Sequence, residues 1–260
     1  MDNRIHECMK KGIKTVSTRV ISTKPYIMEI IGGTGHYDYA EFLAEYSTFS
    51  QEDLENMVRA AELYQMGTMI KIDYQNRLYV AQKAAASGFQ AVLFTDHRNA
   101  EQVRESIAAL RPDTPFDQGS YGFSTRRFIK SPKMISALAH AERIRKIVCC
   151  FMIEKKEAIQ NIEEICSVPG VDMVQFGGYD YCMSQGWEVE DHKEDIRNAE
   201  RRMIEVALGH GVRPRCEIYR SEDAEYYESL GVKDFSLNIE NFILQDYWEG
   251  EGAKLRKLLK

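Results

Sequence analysis

The sequence lacks the features that would place the protein in a membrane or on nucleic acid. None of its hydrophobic runs reaches the roughly 18 apolar residues that a membrane span needs. Its first residues, MDNRIHECMKKGIK, have no apolar core of a signal peptide, so we expect a cytoplasmic protein. Basic residues are outnumbered, with 34 Lys and Arg against 40 Asp and Glu. This acidic balance, with its net charge of −6, argues against a nucleic-acid partner.

The six cysteines show neither a CxxC pair nor the spacing of a zinc finger. The adjacent residues Cys149 and Cys150 would point to opposite faces of a strand, where they cannot easily bridge. We therefore expect reduced cysteines that serve mostly as small core residues.

Short apolar runs alternate with helical patterns along the 260 residues. Strands are predicted at 15–22, 37–46, 68–73, 89–95, 146–154, 171–178, 212–218 and 233–239. Helices are predicted at 26–35, 50–67, 77–88, 99–110, 156–168, about 191–210, 221–230 and 240–259. Within these patterns, Ser50 with Asp53 forms a near capping box, and Gly88 ends a helix.

Eight strand–helix units of this length predict an α/β fold, the (β/α)8 TIM barrel, as a single domain over 1–260. An extra segment precedes the first strand. The stretch 111–145, with its prolines, its loop and a helix near 133–142, is an insertion after the fourth unit. An open doubly wound sheet is the alternative, but STKPY after the first strand is not its glycine-rich phosphate turn.

In a parallel barrel, function gathers at the carboxyl ends of the strands. The polar residues at those ends are Glu45, Tyr46, Lys71, Asp73, Asp96, His97, Glu154, Asp180, Glu217, Asn238 and Glu240. Glu154 and Asp180 follow neighbouring strands, which lie about 4.8 Å apart, so their carboxylates can converge on one cation. Two carboxylates with open positions suit Mg²⁺ or Mn²⁺, with Co²⁺ also compatible. The alternative is that both acids cap the helices that follow them.

The glycine pair Gly177 and Gly178 lies between these acids in the stretch VDMVQFGGYD. Glycine lets a ligand approach the backbone closely and offers its N–H groups. A chelating small molecule such as a 2-oxo acid would bring two further oxygen ligands. We therefore expect a metal-bound 2-oxo acid against the two glycines.

The stretch FMIEKKEAIQNIEEICSVPGVDMVQFGGYDYCMSQG (151–186) resembles the HpcH/HpaI family of metal-dependent class II pyruvate aldolases. The resemblance extends more weakly over about 15–245. It implies the same barrel and the cleavage of 4-hydroxy-2-oxo acids to pyruvate and an aldehyde. It also implies a homo-oligomer, a hexamer or trimer, with the last helix packed on a neighbouring subunit.

By this resemblance, Glu154 and Asp180 are the metal-binding acids, and Gly177 borders the pyruvate. Glu45 supports the metal waters. Arg126, in the insertion, lies near the far end of the substrate.

The departures from the family pattern concern proton transfer and enolate binding. The family's Asp-x-Glu-His is Leu43-Ala44-Glu45-Tyr46 here, so the histidine and its aspartate are missing. The arginine after the third strand is Lys71, the proline after the sixth-strand glycine is Gly178, and the Arg-Gly of the loop is Gln118-Gly119.

Three residues are candidates for the altered chemistry. Lys71 supplies a point charge without the two-pronged grip of arginine. Tyr46 serves as a base only if its pKa, ordinarily about 10, is lowered by the metal or by Lys71, and a metal-bound hydroxide is the alternative base. His97 is a further candidate base, unless Asp96 simply caps the fourth helix and His97 lies in solvent. Tyr179 would narrow the pocket or stack on an apolar part of the substrate.

The function expected from these residues is that of a divalent-metal-dependent carbon–carbon lyase acting through a metal-stabilised enolate. The substrate would be a 4-hydroxy-2-oxo acid. Two alternatives stay open: another metal-enolate reaction (condensation, decarboxylation or tautomerisation), or a binding protein without catalysis.

Overall fold

Eight parallel strands close into a barrel in chain order, with the last strand paired to the first. The structure, a computed structural model, describes residues 2–124, 127 and 136–260. The strands are β1 (Thr15–Val20), β2 (Tyr39–Leu43), β3 (Gly67–Ile72), β4 (Ala91–Phe94), β5 (Val148–Ile153), β6 (Met173–Phe176), β7 (Arg213–Ile218) and β8 (Asp234–Ile239). The predicted TIM barrel is confirmed.

At least one helix follows each strand, and all of these helices except the last two contain buried residues. The helices are α1 (Arg4–Lys10), α2 (Pro25–Gly33), α3 (Gln51–Leu63), α4 (Arg77–Ser87), α5 (Ala100–Ala109), α6 (Ala137–Arg145), α7 (Lys156–Gln160), α8 (Ile162–Cys166), α9 (Gly178–Gln185), α10 (Lys193–Gly209), α11 (Ala224–Ser229) and α12 (Glu240–Leu258). Among the described residues, no helix combines the length and the hydropathy required to cross a bilayer.

Local sequence signals fix several of these boundaries. Ser50 accepts a hydrogen bond from Asp53 N at 3.2 Å, and Asp53 accepts one from Ser50 N at 2.7 Å, which confirms the capping box of α3. Gly88 ends α4 with a φ of 107°, a conformation that favours glycine.

Several elements differ from the sequence prediction. The strands predicted at 15–22 and 37–46 end earlier, at Val20 and Leu43, and Ala44–Tyr46 form a short 3-10 helix. The helix predicted at 156–168 is the separate helices α7 and α8, which meet at Asn161. Of the helix expected near 133–142, residues 133–135 lie outside the described residues, and the described part is α6, which continues to Arg145. The helices α1 and α9 were not predicted, and α9 begins directly at Gly178, where a turn was expected.

The extra N-terminal segment closes the amino end of the barrel. Asn3 Nδ2 donates to the carbonyl oxygens of Gln90 at 2.7 Å and Lys146 at 2.6 Å. Ile5 on α1 is fully buried in a cluster with Tyr39 and Met69 from the barrel interior. The side chains of this segment therefore fill part of the amino end of the barrel.

The barrel interior is apolar on one side and polar on the other. Apolar residues from β3 to β6 form its apolar half: Met69, Ala91, Leu93, Val148, Cys150, Met152 and Met173. Cys149 lies in the other cluster, between strands and helices, so the adjacent cysteines point to opposite faces as predicted. All six cysteines are buried free thiols.

The polar half is organised by Arg215 of β7, which has no exposed surface. Its guanidinium forms an ion pair with the equally buried Glu41 and donates to Tyr39 Oη at 2.8 Å and Ser17 Oγ at 3.0 Å. It also donates to the amide oxygen of Gln175. A buried charge is tolerated only when it is paired and hydrogen-bonded in this way.

We predict that Arg215→Met lowers the free energy of unfolding by about 3–5 kcal/mol, because it leaves Glu41 buried without its counter-ion. Urea unfolding followed by circular dichroism measures the change. The double variant Arg215→Met/Glu41→Leu is the control, and we expect it to lose much less stability than the single variant. A single variant as stable as the unsubstituted protein contradicts this account.

Candidate functional site

A cavity of about 260 Å³ opens at the carboxyl ends of the strands. It is lined by Arg19, Leu43, Tyr46, Lys71, Met152, Phe176, Gly177, Gly178, Tyr179, Asp180, Glu217, Tyr219, Ile239 and Phe242. A larger cavity of about 500 Å³ lies between α10 and α11 and reaches the end of β7, where Glu217 and Tyr219 line both cavities. We place the candidate site in the smaller cavity, because four of the polar residues at the strand ends line it: Tyr46, Lys71, Asp180 and Glu217.

Glu154 follows β5 and is 2% exposed beside the cavity. Its Oε1 accepts a hydrogen bond from Asp96 N at 2.7 Å. Its Oε2 lies 2.7 Å from the point that a Cβ on Gly177 would occupy. Gly177 therefore leaves the space into which this carboxylate reaches.

Neither metal-binding candidate caps a helix. Lys155 is the N-cap residue of α7 and Gly177 that of α9, and neither helix start has a side-chain cap hydrogen bond. Asp180 lies in the first turn of α9 and lines the cavity. The capping alternative left open by the sequence is therefore not the role of Glu154 or Asp180.

The electrostatics of Glu154 fit a cation site. Burial raises the pKa of Glu154 to about 7, with Asp180 and Asp96 adding to the shift, while Lys71 and the Asp96 N–H oppose it. Among the described residues, no group of three or more His, Cys, Asp or Glu side chains is arranged to hold a metal. Two carboxylates suffice for Mg²⁺ or Mn²⁺, whose remaining positions go to water or substrate oxygens. The residues present therefore fit such an ion.

Asp96 and Lys155 support the two acids from the side. Asp96 has a φ of 62°, rare outside glycine, and this conformation accompanies the hydrogen bond from its N–H to Glu154. Lys155 Nζ lies 2.5 Å from Asp96 Oδ1 and 3.9 Å from Asp180 Oδ1. Its ammonium thus links the end of β4 to the start of α9.

The residues that depart from the family pattern form one cluster. Lys71 Nζ lies 2.7 Å from Glu45 Oε2 and donates to Tyr46 Oη at 2.6 Å. Burial alone would lower the pKa of Lys71, but Tyr46, Glu45 and Glu154 raise it overall. Lys71 is therefore a cation at neutral pH, which does not suit a Schiff-base nucleophile.

Tyr46 is 57% exposed, but its hydroxyl is turned inward to Lys71. Desolvation raises the pKa of Tyr46 to about 12, and the charge of Lys71 only partly offsets it. The lowered pKa on which a role as base depended is not found. Tyr46 is therefore a protonated phenol that can donate a proton or a hydrogen bond.

His97 lies outside the cavity. It has no exposed surface, and its ring nitrogens contact Thr95 O and Ser106 Oγ, each at 2.7 Å. The rings of Phe94 and Phe151 pack around it. This geometry does not support the predicted role of His97 as catalytic base, nor the alternative in solvent. Asn99, not Asp96, caps α5.

The remaining predicted residues lie at the start of α9 or outside the described residues. Gly178 and Tyr179 are the first residues of α9 and line the cavity, with Tyr179 78% exposed. The first N–H groups of a helix have no partner within it, so this end suits an anion. Arg126 lies outside the described residues.

Sequence reasoning missed Arg19. Alternation from Ser17, which faces Arg215, places Arg19 in the last inward position of β1. Its guanidinium forms an ion pair with Glu217 in the cavity. The predicted strand extended to residue 22, which left Arg19 in the middle and hid this placement.

Residues 50–225 match the family model described as HpcH/HpaI aldolase/citrate lyase. The chain belongs to this family. Its members are lyases and in general depend on a divalent metal ion. The family resemblance inferred from the sequence is thereby confirmed.

Individual relatives are distant. A 2-keto-3-deoxy-L-rhamnonate aldolase from Salmonella gallinarum (strain 287/91 / NCTC 13346) is 25% identical over 187 residues, 72% of this chain and 68% of that protein. An HpcH/HpaI aldolase from Desulfitobacterium hafniense DCB-2 superposes with a TM-score of 0.86 at 20% identity, covering 96% of this chain and 95% of the other. Citrate synthase SbnG gives 0.85 at 19% identity, covering 97% of each chain. These two structures share the fold.

The buried histidine predicts an acid-sensitive stability. Burial lowers the pKa of His97 to about 4, against an ordinary value of about 6.5 in the unfolded chain. Between these values the unfolded state binds a proton that the folded state does not. Above about pH 6.5, His97 therefore causes no loss of stability. Between about pH 6.5 and pH 4, the free energy of unfolding falls by about 1.4 kcal/mol per pH unit because of His97.

In His97→Gln we expect this part of the pH slope to disappear, as measured by urea unfolding at pH values from 7 to 5. The surface residue His210, paired with Glu163, provides the matched control His210→Gln. An unchanged slope in His97→Gln would show that His97 is not the buried neutral group described here.

Proposed function

We propose that this protein is a divalent-metal-dependent aldolase that cleaves a 4-hydroxy-2-oxo acid to pyruvate and an aldehyde. The observation that carries the proposal is the buried Glu154 carboxylate, held against Gly177 with Asp180 beside it. Membership of a family of metal-dependent lyases supports the assignment.

In the cleavage direction, the 4-hydroxyl gives its proton to solvent water and the C3–C4 bond breaks. Its electron pair passes to C3 and gives the enolate of pyruvate, while C4 leaves as the aldehyde. A proton added at C3 completes pyruvate. A divalent ion held by Glu154 and Asp180 would supply a Lewis acid for the negative charge that develops on the 2-oxo oxygen.

The chain's own groups bind and orient the substrate. The N–H groups at the start of α9, from Gly178 and Tyr179, suit the substrate carboxylate. Lys71 adds a fixed positive charge near that carboxylate and the enolate. Because the Tyr46 phenol is protonated, we assign it the delivery of a proton rather than its removal.

The proposal is tested by deuterium uptake into the methyl group of pyruvate in D₂O, followed by NMR. We expect exchange with Mg²⁺ or Mn²⁺ and none with a chelator. Glu154→Gln and Asp180→Asn should each slow the exchange at least about 100-fold, since each removes a carboxylate that holds the ion. Exchange that persists with the chelator, or its absence with either metal, would overturn the proposal.

Glu157→Gln is the matched control for these variants. Glu157 lies three residues after Glu154, but on the exposed side of α7, where it pairs with Arg98 at 2.6 Å. The rate of deuterium exchange with Glu157→Gln should equal that with the unsubstituted protein.

The two glycines should differ in their effect on metal affinity. A Cβ on Gly177 would lie 2.7 Å from Glu154 Cβ and Oε2, whereas the nearest atoms to a Cβ on Gly178 are 3.6 Å away. We predict that Gly177→Ala weakens Mn²⁺ binding by about 10- to 100-fold, because Glu154 must move, and that Gly178→Ala leaves it near the original value. Titration of Mn²⁺ followed by electron paramagnetic resonance measures both. Equal affinities in the two variants would place the ion elsewhere.

A further inference from the structure

Arg19 is a buried guanidinium with unused hydrogen-bonding capacity. It is 5% exposed, and its Nε donates to Asn238 O at 3.1 Å while its Nη1 pairs with Glu217. Its Nη2 has no acceptor among the described residues. A buried charged donor without a partner is costly, so an acceptor brought by a ligand at this point would be strongly bound.

Glu217, the partner of Arg19, is held firmly and faces the same cavity. Its Oε1 accepts from Gln175 Nε2 at 2.6 Å, and Gln175 in turn accepts from Arg215 in the polar half of the barrel. The side chain of Glu217 is 28% exposed. A ligand here meets a preorganised donor, Arg19, next to a preorganised acceptor, Glu217.

An aromatic wall covers this part of the cavity. The Arg19 guanidinium lies 5.5 Å from the centroid of the Tyr219 ring, which is itself 6.1 Å from that of Phe242. Tyr219 is 48% exposed and lies over the Arg19 guanidinium, so a rotation of its side chain would open this face of the guanidinium to a ligand oxygen. Such faces suit the C–H groups of a polar but uncharged chain.

Position in the barrel separates Arg19 from the candidate metal acids. In the ring of eight strands, β1 lies opposite β5, the strand that leads to Glu154. A substrate that is anchored at Glu154 and spans the cavity would reach Arg19 and Glu217, which line it as well.

Charge decides what that far end carries. Five carboxylates and three cations meet in and beside the cavity: Glu45, Asp96, Glu154, Asp180 and Glu217, against Arg19, Lys71 and Lys155. One divalent ion balances the difference, and the carboxylate of a 2-oxo acid then adds one negative charge. A second carboxylate at the far end would be uncompensated and would lie next to Glu217. A hydroxyl group would accept from Arg19 and donate to Glu217.

We propose that Arg19 and Glu217 form the subsite for an uncharged, hydroxyl-bearing far end of the substrate. This inference rests on the proposed aldolase function. The aldehyde partner is accordingly a hydroxyaldehyde. Aldehydes that carry a carboxylate of their own are disfavoured.

The test compares initial rates of pyruvate addition to glycolaldehyde, acetaldehyde and glyoxylate. The first two have equal chain length and differ in one hydroxyl, and the third carries a carboxylate. Because their intrinsic reactivities differ, the decisive quantity is the change in the ratio of kcat/KM values between variants. We expect Arg19→Lys to lower the glycolaldehyde-to-acetaldehyde ratio about 10- to 100-fold.

Glu217→Gln provides a second and opposite readout. Removing this carboxylate leaves Arg19 with an uncompensated charge, so we expect the glyoxylate-to-glycolaldehyde ratio to rise at least about 10-fold. Arg98→Gln, at an exposed arginine on the same end of the barrel, should change neither ratio.

Deuterium exchange of pyruvate distinguishes a failure of the proposed subsite from a failure of the proposed aldolase function. Exchange retained in the variants with the ratios shifted as stated supports the subsite. Exchange retained with unchanged ratios in both variants overturns the subsite and leaves the aldolase proposal intact. No exchange in the unsubstituted protein overturns both.

Discussion

The buried ion pair between Arg215 and Glu41 is the constraint on which the barrel interior depends. A guanidinium without solvent must have its donors occupied, and this requirement draws Tyr39, Ser17 and Gln175 toward one side. Gln175 in turn donates a hydrogen bond to Glu217, and Glu217 pairs with Arg19. The polar groups at the mouth of the barrel are thus extensions of a network whose anchor lies in its core.

The departures from the family pattern compensate one another in space. Lys71 stands where the resemblance implies an arginine and Tyr46 where it implies a histidine, and the two side chains meet at 2.6 Å with Glu45 at the same ammonium. Without these partners, burial would lower the pKa of Lys71. Without Lys71, the Tyr46 hydroxyl would lack the hydrogen-bond donor that holds it inside the cavity. Together the two side chains keep a positive charge and a proton donor in the cavity that the glycine pair also lines. The two departures are therefore best understood as one coupled change.

The alternation of apolar runs was enough to predict the barrel, because strand and helix periods differ and each unit repeats the same order. It could not predict α9, whose start has no side-chain cap and whose glycines are also typical of a turn. The acids at the ends of β5 and β6 were found because strand order places them side by side. His97 was misplaced because a sequence does not show on which side of a strand end the next residue lies, and Arg19 because the end of β1 was set two residues too late.

The network also joins distant parts of the chain. Arg19 and Glu217 are 198 residues apart, and Glu41 and Arg215 are separated by 174, whereas Glu154 and Asp180 come from consecutive strands. Closing such long loops costs entropy that only the finished barrel repays. During synthesis Glu154 and Asp180 therefore emerge before β7, which carries Glu217 and Arg215, so the pair of Arg19 and Glu217 can form only after the last strands are made.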